Sequence, residues 1–343
     1  MVGARALALV AFGASIGRSS ATLYDAEESS CLADGCESDT AALLQQVKSH
    51  SVVDAEGSSA GDGSFNYTSL QELGWDFPMC LDHVANPWQA PINIATGVDY
   101  PELAVSEPPK FTVIDGGCKE VTFKSLPGAW QVNFDCPNLQ MEWKGKTYYL
   151  VQFHFHTRSE DSFDFNRFPA QMHMVHSTVP KEGEQPEYAV IGVQLQTKVG
   201  LHGENMFLKH IFHTGFPAEV GEKKVVSARP YNPYAGVLSS RGKFWYYQGS
   251  FTTPPCTGGV DFLVAQESVT VCASVITDFA AYLSSGDRVG DSYGQNARPI
   301  QPLNGRKIEV GAFGQVLNKP GEGSAAATMA PCLKRAFELG KAV

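Results

Sequence analysis

Between residues 111 and 196 apolar and polar side chains alternate in short runs, the period-two pattern of half-buried strands. Six runs stand out, at residues 111–114, 121–124, 130–134, 148–156, 172–177 and 188–196. They are rich in β-branched and aromatic residues, and clusters such as Asp115-Gly116-Gly117 and Pro127-Gly128 separate them with turn chemistry. Helical periodicity is thinner. It marks residues 203–213 and 274–283, the second with Val275, Phe279 and Tyr282 on one side. The pattern predicts a mainly β domain with minor helices (α+β), built on a large central, mostly antiparallel twisted sheet. A short helical patch at 40–47, led by Asp39 as a cap, stands apart in a segment rich in Ser, Ala, Asp, Glu and Gly.

Within this pattern, residues 151–176 carry the most chemistry. His154 and His156 lie two apart in a β run, so their side chains share a face. His173 follows in a second alternating run. If residues 157–170 hold the turn, the two strands pair and a third imidazole joins the first two. Three convergent neutral imidazoles suit Zn²⁺ and leave a fourth position for water, the arrangement of a catalytic rather than a structural site. Gln152 and Gln171, each two residues before a candidate ligand, share that face and are candidates to hold the rings in one tautomer. His176, three residues beyond His173, falls on the opposite face and reads as structural.

Composition narrows the setting. A formal net charge of −10 with no basic run disfavours nucleic acid or an anionic membrane surface as partner. At the N-terminus Arg5 precedes the apolar run 6–16, and Ser19-Ser20-Ala21 offers a cleavage point; this reads as a signal peptide over residues 1–21. Residues 22–63 read as a pro-segment or linker, 64–318 as the folded domain and 319–343 as a tail. No later stretch is apolar enough for a membrane span in the mature chain. Eight cysteines on a secretory route imply disulfides, and Cys118 and Cys136 flank a hairpin across which they could meet. Asn66-Tyr67-Thr68 is a glycosylation sequon. Nothing in the sequence sets the oligomeric state.

Further on, Gly249-Ser250-Phe251-Thr252-Thr253-Pro254-Pro255-Cys256 places two hydroxyls before two prolines that stiffen the backbone. This string, with Gln89-Ala90-Pro91-Ile92-Asn93-Ile94, Gln152-Phe153-His154-Phe155-His156, Ser159-Glu160, His173-Met174-Val175-His176 and Asn296-Ala297-Arg298-Pro299-Ile300-Gln301-Pro302, occurs in the order seen in alpha-class carbonic anhydrases. The chain resembles that family from about residue 65 to 306. The resemblance implies that His154, His156 and His173 hold Zn²⁺ and that hydroxide on the metal converts carbon dioxide reversibly to bicarbonate and a proton. It further implies that Thr252 links that hydroxide to Glu160, that Thr253 lines the bicarbonate side, and that Val175, Val190, Phe251 and Phe262 form an apolar wall for carbon dioxide. Gln152, Gln171 and Asn296 stand as partners of the ligands, and Cys80 with Cys256 as the disulfide of secreted members, bracing the loop of Thr252. A non-catalytic binding or matrix module on the same fold is the alternative.

Three positions depart from the family pattern. Gln171 replaces a glutamate expected to hold the third imidazole, Asp161 replaces a histidine, and Gly128 occupies the place of a proton-shuttling histidine. His202, His210 and His213 are the candidates to replace that shuttle, although surface or helix roles suit them better.

Overall fold

The computed structural model describes residues 65–67, 75, 77–104, 107–181, 184–197, 204–227 and 229–321. The expected leader, the linker with its helical patch, Thr68, His202 and the tail beyond Gly321 lie outside them. The strands are β1 (Asn93–Ile94), β2 (Lys110–Ile114), β3 (Val121–Leu126), β4 (Ala129–Phe134), β5 (Leu139–Trp143), β6 (Lys146–His156), β7 (Ser162–Phe163) and β8 (Ala170–Thr178). They continue with β9 (Tyr188–Thr197), β10 (Lys223–Val226), β11 (Lys243–Ser250), β12 (Gly258–Ala265), β13 (Val269–Val271), β14 (Glu309–Ala312) and β15 (Val316–Lys319). Among the described residues four helices punctuate them: α1 (Pro78–Leu81), α2 (Met206–Thr214), α3 (Pro233–Val237) and α4 (Ala273–Leu283).

All six expected strand runs and both main helices are present. The sheet runs β10-β3-β4-β6-β8-β9-β12-β11-β14. It is mostly antiparallel, with β9 pairing β12 and β13 in parallel and β2 pairing β15 in parallel. Helix α2 starts at Met206 rather than residue 203 because the Asn205 side chain accepts from the Leu208 N–H, capping the first turn.

Alternation along β6 divides the sheet into two faces. Phe153 and Phe155 point to the large core, where they meet Phe207 and Phe212 of α2 at ring separations of 6.2 and 4.8 Å. The intervening His154 and His156 therefore point to the other face. There a smaller apolar cluster gathers Val175, Val190, Phe251, Phe262 and Tyr247. His210 and His213 ride on α2, on the far side of the sheet from the imidazoles, which removes them as replacements for a proton shuttle.

Disulfides join Cys80 to Cys256 and Cys118 to Cys136, the second across the β3–β4 hairpin. His176 is buried on the core face, its Nε2 2.9 Å from the Tyr234 hydroxyl and its ring stacked on that phenol. Burial pushes its pKa down to about 4. It holds packing together and takes no part in the histidine cluster.

Candidate metal centre

A single irregularity in β6 makes the site. Leu150 pairs with His176, but Gln152 pairs with Val175, so the register slips by one residue at Val151. From there His154 lies directly opposite His173, and Gln131 of β4 lies opposite His154. Without the slip, residue 154 would face Met172 and His173 would turn to the core, because side chains alternate with period two.

One ring nitrogen from each of His154, His156 and His173 lies within 4.8 Å of the other two. The Nε2 atoms of His154 and His156 are 3.0 Å apart, close to the spacing of about 3.3 Å that neighbouring ligands adopt on a tetrahedral zinc with bonds of about 2.0 to 2.1 Å. Their outward nitrogens are held: the Nδ1–H of His154 donates to Gln152 Oε1 at 2.9 Å, and that of His156 donates to the Asn296 carbonyl at 3.0 Å. Each bond fixes the tautomer that leaves an Nε2 lone pair facing the centre. Burial, then the neighbouring His156, pushes His154 well below the ordinary histidine range, and burial with both neighbours does the same to His173. The rings are kept neutral, the form that ligates metal. The donor set and its convergence fit zinc.

Gln171 does not hold His173 as expected. Its Oε1 accepts from the backbone N–H groups of Glu160 and Asp161 at 2.8 and 3.3 Å, and its Nε2 donates to Asp161 Oδ2 at 3.2 Å. The reason lies in the other departure from the family pattern. A carboxylate at 161 needs donors, and an amide at 171 supplies one while its oxygen serves the loop. The two substitutions form one coupled pair, and His173 Nε2 is left buried without a hydrogen bond.

Thr252 also differs from expectation, since no hydrogen bond joins it to Glu160. Glu160 Oε1 accepts from the Arg298 backbone N–H at 3.1 Å, and this turns Oε2 toward the imidazoles, 3.4 Å from His156 Nε2 and 3.6 Å from His173 Nδ1. Thr252 is buried on the same loop as Phe251, and Thr253 beside it is half-buried. Val175, Val190, Phe251 and Phe262 converge in one cluster, with the Phe262 ring 6.1 Å from that of His173.

Several supports were not singled out in the sequence. Buried Arg298 donates to Gln89 Oε1, the Ala90 carbonyl and the Cys80 carbonyl, tying the Glu160 loop to the disulfide. Asn296, which the resemblance did mark as a partner of the ligands, donates to the carbonyls of Gly128 and Phe155 while its Oδ1 accepts from Thr157 N–H. Tyr247 donates to Asp161 Oδ1 at 2.8 Å. The one available signal was a polar residue inside an apolar run, such as Gln194 in the run 189–195.

Asp161 supplies a pH test. Burial pushes its pKa up from 3.8 to about 6, outweighing hydrogen bonds from Tyr247, Ile92 and Gln171, and the charge of Glu160 adds to the rise. A carboxyl with a raised folded pKa stabilises below its unfolded pKa, and that contribution is lost as pH rises through about 6. The gap corresponds to about 3 kcal/mol. Denaturant titrations should show wild type losing about that much relative to Asp161→Asn between pH 4 and pH 7; a pH-independent difference would contradict the assignment.

Residues 71–311 match the family model for eukaryotic-type carbonic anhydrase. The carbonic anhydrase of Neisseria gonorrhoeae is 29% identical over 253 residues, covering 71% of this chain and 88% of that protein. Alpha carbonic anhydrase 3 of Arabidopsis thaliana is 37% identical over 165 residues, 47% of this chain and 52% of that one. Among solved structures, the alpha-carbonic anhydrase of Thermovibrio ammonificans in complex with sulfanilamide superposes with a TM-score of 0.58 at 26% identity, over 73% of this chain and all of that one.

Proposed function

The chain belongs to the eukaryotic-type, alpha-class carbonic anhydrases, and from that premise we propose that it binds one Zn²⁺ through His154, His156 and His173 and catalyses the reversible hydration of carbon dioxide to bicarbonate and a proton. The convergence of three imidazoles, two of them buried and two with their outward N–H groups already engaged, carries this reading. Bound by these three residues, zinc would supply the Lewis acidity that in carbonic anhydrases generally lowers the pKa of water to about 7, and so a nucleophile at neutral pH.

The chain's own residues do the rest. Val175, Val190, Phe251 and Phe262 offer carbon dioxide an apolar wall, suited to a molecule with little capacity to hydrogen-bond. Thr252 and Thr253 present hydroxyls beside that wall. Glu160, anchored by Arg298 N–H, places a carboxylate oxygen beside His156 and His173. Metal analysis of protein purified without added zinc, paired with a carbon dioxide hydration assay, tests the proposal. One zinc per chain and chelator-sensitive hydration are expected; a metal-free, inactive wild type would favour a non-catalytic module instead.

Proton release is predicted to limit turnover. Gly128 has no ionisable group, and a Cβ there would come within 2.7 Å of Val289 Cγ2, so the position is closed to a larger side chain unless Val289 moves. A positioned acid–base group contributes at least about 10²-fold. Turnover in dilute buffer should therefore rise by that order when an imidazole buffer is added, and a rate indifferent to buffer concentration would count against it. The disulfides support passage through an oxidising, secretory compartment. Among the described residues no helix is long and apolar enough to cross a membrane.

A further inference from the structure

His173 Nε2 and both carboxamide atoms of Gln194 are buried polar atoms without a hydrogen-bond partner among the described residues. Such atoms are rare enough in folded proteins that each calls for a reason. Their placement supplies one. In the β8–β9 pair His173 lies opposite Gly192 and Gln171 opposite Gln194, so Gln194 shares the imidazole face and is the diagonal neighbour of His173, within reach of a long side chain. The bare Cα of Gly192 makes room for the Gln171 carboxamide, whose Nε2 lies 2.9 Å from where a Cβ would sit, beside the edge of the His173 ring. A Cβ built there would sit 3.7 Å from His173 Cδ2, and Cδ2 is bonded to Nε2, so this edge of the ring is turned toward β9.

Chemical complementarity completes the pairing. When His173 offers its Nδ1 lone pair to a metal, Nε2 carries the proton and needs an acceptor. Gln171 cannot serve: its oxygen is committed to two backbone N–H groups, and its nitrogen is a donor already bound to Asp161. Gln194 Oε1 is an uncommitted acceptor on the adjacent strand. We propose that Gln194 is the positioning residue of the third ligand, accepting the Nε2–H of His173 on a turn of its carboxamide or across one water. This rests on the zinc reading and adds a residue to it. The coupled pair of Asp161 and Gln171 frees the third imidazole from its own strand, and β9 takes over.

Zinc release from the purified holoprotein into excess chelator provides the test, with zinc content of the wild type measured first. Gln194→Met, of similar volume but without an acceptor, should release zinc about 10- to 100-fold faster. Gln194→Glu, which keeps an acceptor at the same reach, should retain zinc at least as long as wild type. Unchanged release from zinc-loaded Gln194→Met would overturn the role of Gln194 alone, whereas a wild type without zinc would overturn the metal assignment and this role with it. If Gln194→Met does not fold, the His173 Nε2–H resonance decides. It should move downfield in Gln194→Glu, where the acceptor is anionic; an unmoved resonance would exclude the bond.

Discussion

His154→Ala is expected to take zinc from one ion per chain to none and to reduce carbon dioxide hydration by about a thousandfold or more. The three rings form a triangle with His154 at one corner, its centroid 4.8 Å from that of His156 on its own strand and 5.5 Å from that of His173 across the β6–β8 pair, while His156 and His173 are 4.7 Å apart. Removing it leaves two imidazoles, one ligand short of a catalytic zinc site. The Lewis-acid contribution that disappears is worth several kcal/mol of barrier, and each 1.36 kcal/mol is tenfold in rate. The fold should survive, because His154 is half-buried at the site rather than packed in the large core. Zinc content and hydration rate are measured on the same preparation with circular dichroism as the check on folding. A folded His154→Ala that keeps both metal and activity would exclude the three-histidine centre.

Removing the disulfide between Cys80 and Cys256 should produce the largest loss of stability. The bridge closes a sequence separation of 176 residues, and in the chain-entropy description a loop of that size restrains the unfolded chain by about 5 kcal/mol. The shorter bridge from Cys118 to Cys136, with a separation of 18, is worth about 3 kcal/mol on the same basis. The first bridge also anchors the site. Cys256 N–H donates to the Thr253 carbonyl, Asn86 donates to the Cys256 carbonyl, and Arg298 donates to the Cys80 carbonyl. Cys80→Ser with Cys256→Ser should therefore lower the melting temperature by about 10 °C and lower activity before unfolding, as the loop of Thr252 loosens. A double variant within about 1 kcal/mol of wild type by denaturant titration would show that packing, and not the bridge, holds this loop.

How much of this was visible in the chain depends on whether an interaction is local. The strand runs were legible because burial on one face imposes period two, and the six identified runs match β2, β3, β4, β6, β8 and β9. Strands β11 and β12 were not singled out, although β12 sits beside β9 in the sheet and β11 beside β12. They pair with each other across residues 251–257, but their outer partners β9 and β14 are distant in sequence, and parallel pairing of β12 with β9 leaves no turn signal between them. In the site, Gln152 was legible as the partner of His154 because two residues on a strand share a face. Gln171 obeys the same parity and still bonds elsewhere, because Asp161 competes for its amide.

The sequence alone determined the kind of chemistry available: three histidines at strand spacing, a Thr-Thr-Pro-Pro turn, cysteines able to pair as disulfides, and no side chain at Gly128. These follow from residue identity and short-range geometry. Only the tertiary structure decided that the imidazoles meet. The one-residue slip at Val151 sets His154 against His173, and no local propensity records it, since register is fixed by two strands together. The tertiary structure likewise brings the Asn296 carbonyl to His156 across 140 residues of sequence, seats Arg298 under the Glu160 loop, and places Gln194 diagonally across from His173. Each of these contacts depends on chain segments that become neighbours only when the sheet is assembled.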